Sequence, residues 1–72
     1  MNQPGESTLA MAARHVAECE ERVARQVAVV EKLDRLGCER EAETARIVLE
    51  TLQTSLTIGR DHLRLEQEKG RS

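Results

Sequence analysis

Few side chains in this sequence could do chemistry beyond charge pairing: His15, Cys19, Cys38 and His62. Imidazole and thiolate are ligands that zinc accepts readily, and an i,i+4 pair such as His15 and Cys19 presents both donors on one face of a helix. A third donor must come from a neighbouring element. His62 is the candidate, with Glu18 or Asp61 nearby. The other reading is a core-facing cysteine flanked by two histidines that bond to carboxylates, since a free Cys commonly packs as a small hydrophobe. No second close-spaced ligand pair completes the set, so no metal and no cofactor is expected. Cys38 follows Gly37 and stands among glutamates, with Arg40 the nearby cation. A reactive thiolate needs a more positive setting, which makes a tolerated turn residue the better reading than a redox-sensitive thiol. The Ser and Thr residues show no nucleophile–base arrangement, and no glycine-rich phosphate loop is present. The chain is expected not to be an enzyme.

The elements that hold these residues are legible around the stretch "EKLDRLGCEREAE", residues 31–43. From Leu9 onward the apolar residues follow a heptad-like frame. Leu9, Val16, Val23 and Val30 take one position. Ala12, Cys19 and Leu33 take a second, in which Gln26 is the polar exception. Val27, Val29 and Leu36 widen the stripe. Ser7 or Thr8 can cap the start of this helix. Glu18–Arg22, Glu21–Arg25 and Glu31–Arg35 are spaced to pair along it. The pattern stops at Leu36. Gly37 supplies a left-handed cap, and Glu39, Glu41 and Glu43 open a new helix at the positive end of its dipole. A connection this short makes the helices antiparallel neighbours. Ala42, Ala45, Leu49, Leu52, Leu56 and Leu63 form the main stripe of the second helix. Its middle, "TLQTSLTIG", has poor helix propensity and admits a strand as a rival, but the period-seven leucines on either side favour helix. Gly59 falls in the core frame, where it permits close approach or a slight bend.

The expected fold is therefore all-α: an antiparallel two-helix hairpin over 7–69, with helices at about 8–36 and about 40–68 and a turn at 37–39. Residues 1–6 are expected to be a disordered tail and 70–72 a frayed one. In a hairpin turning near Cys38, residues whose numbers sum to roughly 76 lie level. His15, Cys19 and His62 then converge. Cys19 and Cys38 are ~28 Å apart along the helix and cannot form a disulfide within one chain.

Composition narrows the function. With no Phe, Tyr or Trp, 11 Lys plus Arg interspersed with 13 Asp plus Glu, and a net charge of −2, the surface offers neither a basic footprint nor stacking platforms for nucleic acid. No apolar run approaches the ~18 residues that span a bilayer. The N-terminal "MNQPGESTLAMAA" lacks the basic start and apolar block of a signal peptide. Two cysteines without such a signal fit a reducing, cytoplasmic setting. A small aliphatic core is marginal on its own, and the apolar face of the second helix is wider than one partner helix can cover. A homodimer forming a four-helix bundle is expected, with Val48, Leu49, Leu52, Leu56, Ile58 and Leu65 at the interface. Of these, Leu52 and Leu56 also face the first helix, while Val48, Ile58 and Leu65 lie on the flank.

Finally, "HVAECEERVARQVAVVEKLDRLG" and "AETARIVLETLQTSLTIGRDHLRL" resemble a group of short proteobacterial helical-hairpin proteins of unknown function. Their pattern is roughly HVxExExRIxRQxxLIxxLxxxGH followed by AxxLLxxLxxSLxLHRxHL. The shared positions include His15, Val16, Glu18, Arg22, Val23, Arg25, Gln26, Leu33, Gly37, Ala42, Leu49, Leu52, Ser55, Leu56, Arg60, His62 and Leu63. Cys38 and Gly59 stand where the pattern has His. The resemblance implies a helical hairpin and carries no activity with it. The functional expectation is a self-associating interaction or scaffold module that also admits an unidentified protein partner. The alternative is a small metal- or redox-responsive regulator using His15, Cys19, His62 and Cys38.

Overall fold

The structure, a computed structural model, describes residues 6–70. It is all-helical among those residues: α1 runs Thr8–Arg35 and α2 runs Glu39–Lys69. The two pack side by side as a hairpin 52 Å long and 22 × 16 Å across. The segment read as a possible strand is continuous helix. Its threonines bond back to the preceding turn, with Thr51, Thr54 and Thr57 Oγ1 donating to the carbonyls of Ile47, Glu50 and Gln53 at 3.3, 3.0 and 3.1 Å. Their hydroxyls are thus satisfied without leaving the helix.

Ser7 is the α1 cap, its Oγ accepting from Ala10 N at 3.0 Å. At the other end Gly37 has φ +75°, a backbone conformation that L side chains avoid. Two bonds close the turn: Cys38 N donates to Leu33 O at 3.0 Å and Gly37 N to Asp34 O at 3.1 Å. Cys38 occupies the cap of α2 without a side-chain hydrogen bond, and Glu39 and Glu41 in the first turn complement the dipole there. Glycine, cap and carboxylates together reverse the chain within three residues, which sets α2 antiparallel against α1.

The seam between the helices follows a regular alternation of three- and four-residue steps. On α1 it is Ala12, Val16, Cys19, Val23, Gln26, Val30 and Leu33; on α2 it is Ala42, Ala45, Leu49, Leu52, Leu56, Gly59, Leu63 and Glu66. All are buried or half-buried. The fully buried members are small, apart from Val16 and Leu56, and the central cluster is Val16, Cys19 and Leu56 with Val23 and Leu63 against it. Gly59 is part of this seam. A Cβ there would lie 3.3 Å from His15 Cδ2 and 3.6 Å from Val16 Cγ2, so its role is close approach of the helices.

Three details differ from the sequence expectations. Glu6, assigned to a disordered tail, is held by a two-pronged contact with Arg14, whose Nη2 and Nε donate to its carboxylate at 2.8 and 3.2 Å. The expectations for 1–5 and 71–72 lie outside the described residues. Of the three ion pairs foreseen along α1, Glu21–Arg25 forms at 3.5 Å. Glu18 instead turns back to Arg14 at 3.6 Å, and neither Glu18–Arg22 nor Glu31–Arg35 closes to 4 Å. Exposed pairs of long side chains gain too little to fix one geometry.

Candidate functional site

At the open end of the hairpin, Thr8, Met11, Ala12, Arg14, His15, Glu18 and His62 line a shallow, mostly apolar cleft of about 280 Å³. The start of α1 supplies all of them except His62, which the last turns of α2 bring across. His15 and Cys19, one turn apart, are in contact: Nε2 lies 3.6 Å from Sγ. Of the three candidates, His15 touches Cys19 and shares the cleft with His62, while Cys19 does not line the cleft. Among the described residues no group of three His, Cys, Asp or Glu side chains is placed to hold an ion. Cys19 is buried in the seam at 4% exposure, while both histidines are exposed. Cys38 is half-buried at the turn, and both thiols are free. Cys19 belongs to the central cluster with Val16 and Leu56, and its one polar neighbour there is the His15 ring.

The charged groups make the opposite side of the seam. Arg46 reaches Asp34 at 2.7 Å and Arg60 reaches Glu20 at 3.0 Å, each joining α2 to α1. The sequence reading did not identify these cross-helix pairs. Their signal was available once the helices were known to be antiparallel, because both pairs flank the seam on the same edge. Glu6 is held below the usual carboxylate range by its hydrogen bonds from Arg14, aided by the charge of that guanidinium and opposed by partial desolvation. The same contact raises Arg14.

Compared with known proteins, the chain matches no family model, no curated protein and no solved structure. What it does has to be read from its own surface.

That surface has one organised feature. Immediately before each α2 seam residue from Ala45 to Glu66 stands a member of a second stripe: Thr44, Val48, Thr51, Ser55, Ile58, His62 and Leu65. All seven are exposed, and none is Asp, Glu, Lys or Arg. The charges of α2 over the same span, Arg46, Glu50, Arg60, Asp61 and Arg64, all lie off it. One residue is about 100° of rotation on a helix, so α2 has two heptad stripes about 100° apart, one against α1 and one open. Val48, Ile58 and Leu65 on the open stripe are 44%, 64% and 50% exposed. Among the residues assigned to an oligomer interface from sequence, these three are free to meet another chain. Leu49 and Leu52 are half-buried in the seam, and Leu56 is enclosed within the hairpin's own core at 8% exposure.

Proposed function

We propose that this chain is a non-enzymatic, self-associating helical hairpin that works as an interaction or scaffold module, and that its assembled form is a homodimeric four-helix bundle. The observation that carries the reading is the pair of stripes on α2. A helix in a four-helix bundle faces two neighbours at about a right angle, and α2 has two heptad stripes at about that separation, the open one uncharged and the seam uncharged from Ala42 to Leu63. The small core points the same way, because a hairpin whose buried side chains are mostly Ala, Val and Cys has little stability of its own. Val48, Ile58 and Leu65 from two chains, each about half exposed, give of the order of ~6 kcal/mol on burial, at ~1 kcal/mol apiece. That gross gain is comparable to the ~4–15 kcal/mol that association costs in lost freedom, so the linked gain in folding has to supply the rest.

The resemblance of the stretch from His15 to Leu63 to short proteobacterial helical hairpins is in keeping with this architecture. No described helix is long and apolar enough to cross a membrane. The balanced surface charge supports protein contacts over nucleic acid, and we assign the module to the cytoplasm on its free cysteines.

Light scattering from about 5 to 500 µM tests the proposal. The expected result is a mass approaching twice the 8.1 kDa chain at the upper end, with a helical melt that rises with concentration. A monomer throughout, with a melt independent of concentration, overturns it. The regulator reading rests on His15 meeting Cys19 and sharing a cleft with His62. Metal analysis of protein purified without chelator or an affinity metal separates the two readings, with stoichiometric metal favouring the regulator.

A further inference from the structure

We infer that the open stripe of α2 docks on the same stripe of a second copy, with the two α2 helices antiparallel and the two-fold axis passing beside Ser55. The inference rests on the self-association proposed above and names the contact that would make it.

Three observations select this occupant. First, the stripe is complementary to its own reverse. With Ser55 on the axis, Ile58 meets the partner's Thr51, Leu65 meets the partner's Thr44, and Val48 meets the partner's His62. Each large aliphatic residue falls on a different kind of side chain, two of them small, as interdigitating layers require. Ser55 leaves room for the helices to approach at the crossing. A parallel pairing instead stacks Ile58 on Ile58 and Thr51 on Thr51, large on large and small on small.

Second, the two threonine hydroxyls of the stripe can lose water, while Ser55 on the axis faces its own copy, with which its hydroxyl can pair. Thr44 Oγ1 donates to Arg40 O and Thr51 Oγ1 to Ile47 O, both at 3.3 Å, so these residues present methyl groups with their hydroxyls already bonded. Burial of an unbonded hydroxyl is what normally bars such residues from an interface. Thr54 and Thr57 bond in the same way but stand among the charged side chains.

Third, the charges around the stripe suit the antiparallel sense and the α2–α2 choice. Arg40 lies at the level of the partner's Glu68 when Ser55 is near the axis, opposite signs at each end of the contact. The corresponding face of α1 carries Glu18, Arg22, Arg25 and Lys32. A contact centred on α1 would desolvate those charges, whereas one centred on α2 leaves them in water.

Cysteine cross-linking in the full chain tests the geometry. Cys38→Ser removes the half-exposed thiol and places a good capping residue at the start of α2. Cys19 is buried and stays. In that background Ser55→Cys should form a covalent dimer under mild oxidation by diamide. Thr44→Cys and Leu65→Cys should each remain single and yield a dimer only when mixed, as should Thr51→Cys with Ile58→Cys. Far-UV circular dichroism confirms that each variant is folded; the positions are exposed, so each should retain parental helicity. Leu65→Cys or Thr44→Cys linking to itself means that the helices run parallel and overturns the inference, since Ser55→Cys links to its own copy in either sense and only the off-axis positions tell the two apart. A dimer by light scattering with none of these links overturns it as well and places the contact on another face, leaving self-association intact. A monomer overturns both, and the stripe then belongs to a different protein.

Discussion

Gln26 Nε2 donates a 2.9 Å hydrogen bond to the backbone carbonyl of Ala45, tying a side chain of one helix to the main chain of the other. The amide sits in the seam between Val23 and Val30, where an apolar residue would be the rule. Its carbon stem packs with the seam while its head reaches across. A bond of this kind is directional where Val and Leu contacts are not, so it favours one register of α2 against α1.

The first prediction follows from it. Gln26→Ala removes the donor and part of the packing, and should lower hairpin stability by about 1 kcal/mol. Gln26→Glu keeps the size but sets a carboxylate against the Ala45 carbonyl, and should cost about 1–3 kcal/mol at neutral pH, with part regained on acidification. Thermal melts of the two variants at one concentration measure the difference. A Glu variant as stable as the parent would show that the bond does not contribute.

Gln26 also marks the limit of what the sequence makes legible. The stop at Gly37 and the acidic restart at Glu39–Glu43 are local signals, so the two helices and their short turn are readable from residue types alone. The seam is readable because its period repeats. Partners across the seam are not local. Whether Gln26 reaches Ala45, Arg46 reaches Asp34 or Arg60 reaches Glu20 depends on the offset of two helices, and a shift of one turn changes every partner. The second stripe was half legible: Val48, Ile58, His62 and Leu65 stand out as a flank, but Thr44, Thr51 and Ser55 read only as weak helix formers until the hydroxyl bonds of the two threonines and the face all three share are known. That His15 and His62 share one cleft follows from their level along the hairpin. Sequence could not show that the Cys19 thiol turns into the seam.

Gly59 supplies the second prediction. In the interior of a helix Gly costs about 1 kcal/mol relative to Ala. A methyl group at this position would meet His15 Cδ2 at 3.3 Å, and His15 is an exposed ring that can swing by the few tenths of an ångström required. Gly59→Ala should therefore stabilise the hairpin, by up to about 1 kcal/mol. Gly59→Val adds bulk towards Val16, which the seam holds in place, and should destabilise by about 1–3 kcal/mol. Unfolding by urea, which reads both changes on one scale, distinguishes them. Loss of stability in the Ala variant that is unaffected by His15→Ala would show that the backbone, and not the histidine ring, sets the approach.

Acid should loosen the start of α1. Glu6 has its carboxylate pKa lowered in the folded chain by Arg14, so the contact favours folding wherever Glu6 is ionised in both states. That contribution is fully present above the ordinary glutamate pKa and is lost as pH falls through the lowered folded one; Arg14, raised further by the pair, stays charged throughout. An NMR titration of the Glu6 side-chain carboxyl should show a midpoint below that of an ordinary glutamate. Arg14→Gln should return it to the usual range and weaken the cap region. An unshifted midpoint in the parent protein would mean that the Glu6–Arg14 contact is not populated in water.

The last prediction concerns which face of α2 carries the assembly. Ile58 is 64% exposed in the hairpin and Ile47 is 57% exposed, so within one chain the two are nearly equivalent and neither holds α1. They differ in where they lie. Ile58 is near the centre of the uncharged stripe, while Ile47 is opposite the seam, in line with Thr54 and Asp61. Ile58→Glu puts a carboxylate among apolar neighbours of the second chain, and desolvating it should cost several kcal/mol. Dissociation should follow, and helicity should fall with it because the isolated hairpin is marginal. Ile47→Glu changes a solvated position and should alter stability by about 0.5 kcal/mol or less. Thr57→Glu, next to Ile58 in sequence but about 100° round the helix, is a second control with the same expectation. Light scattering and far-UV circular dichroism across a concentration series read both properties together. If Ile47→Glu dissociates the protein and Ile58→Glu does not, the interface lies on the outer face of α2 and the uncharged stripe has another use.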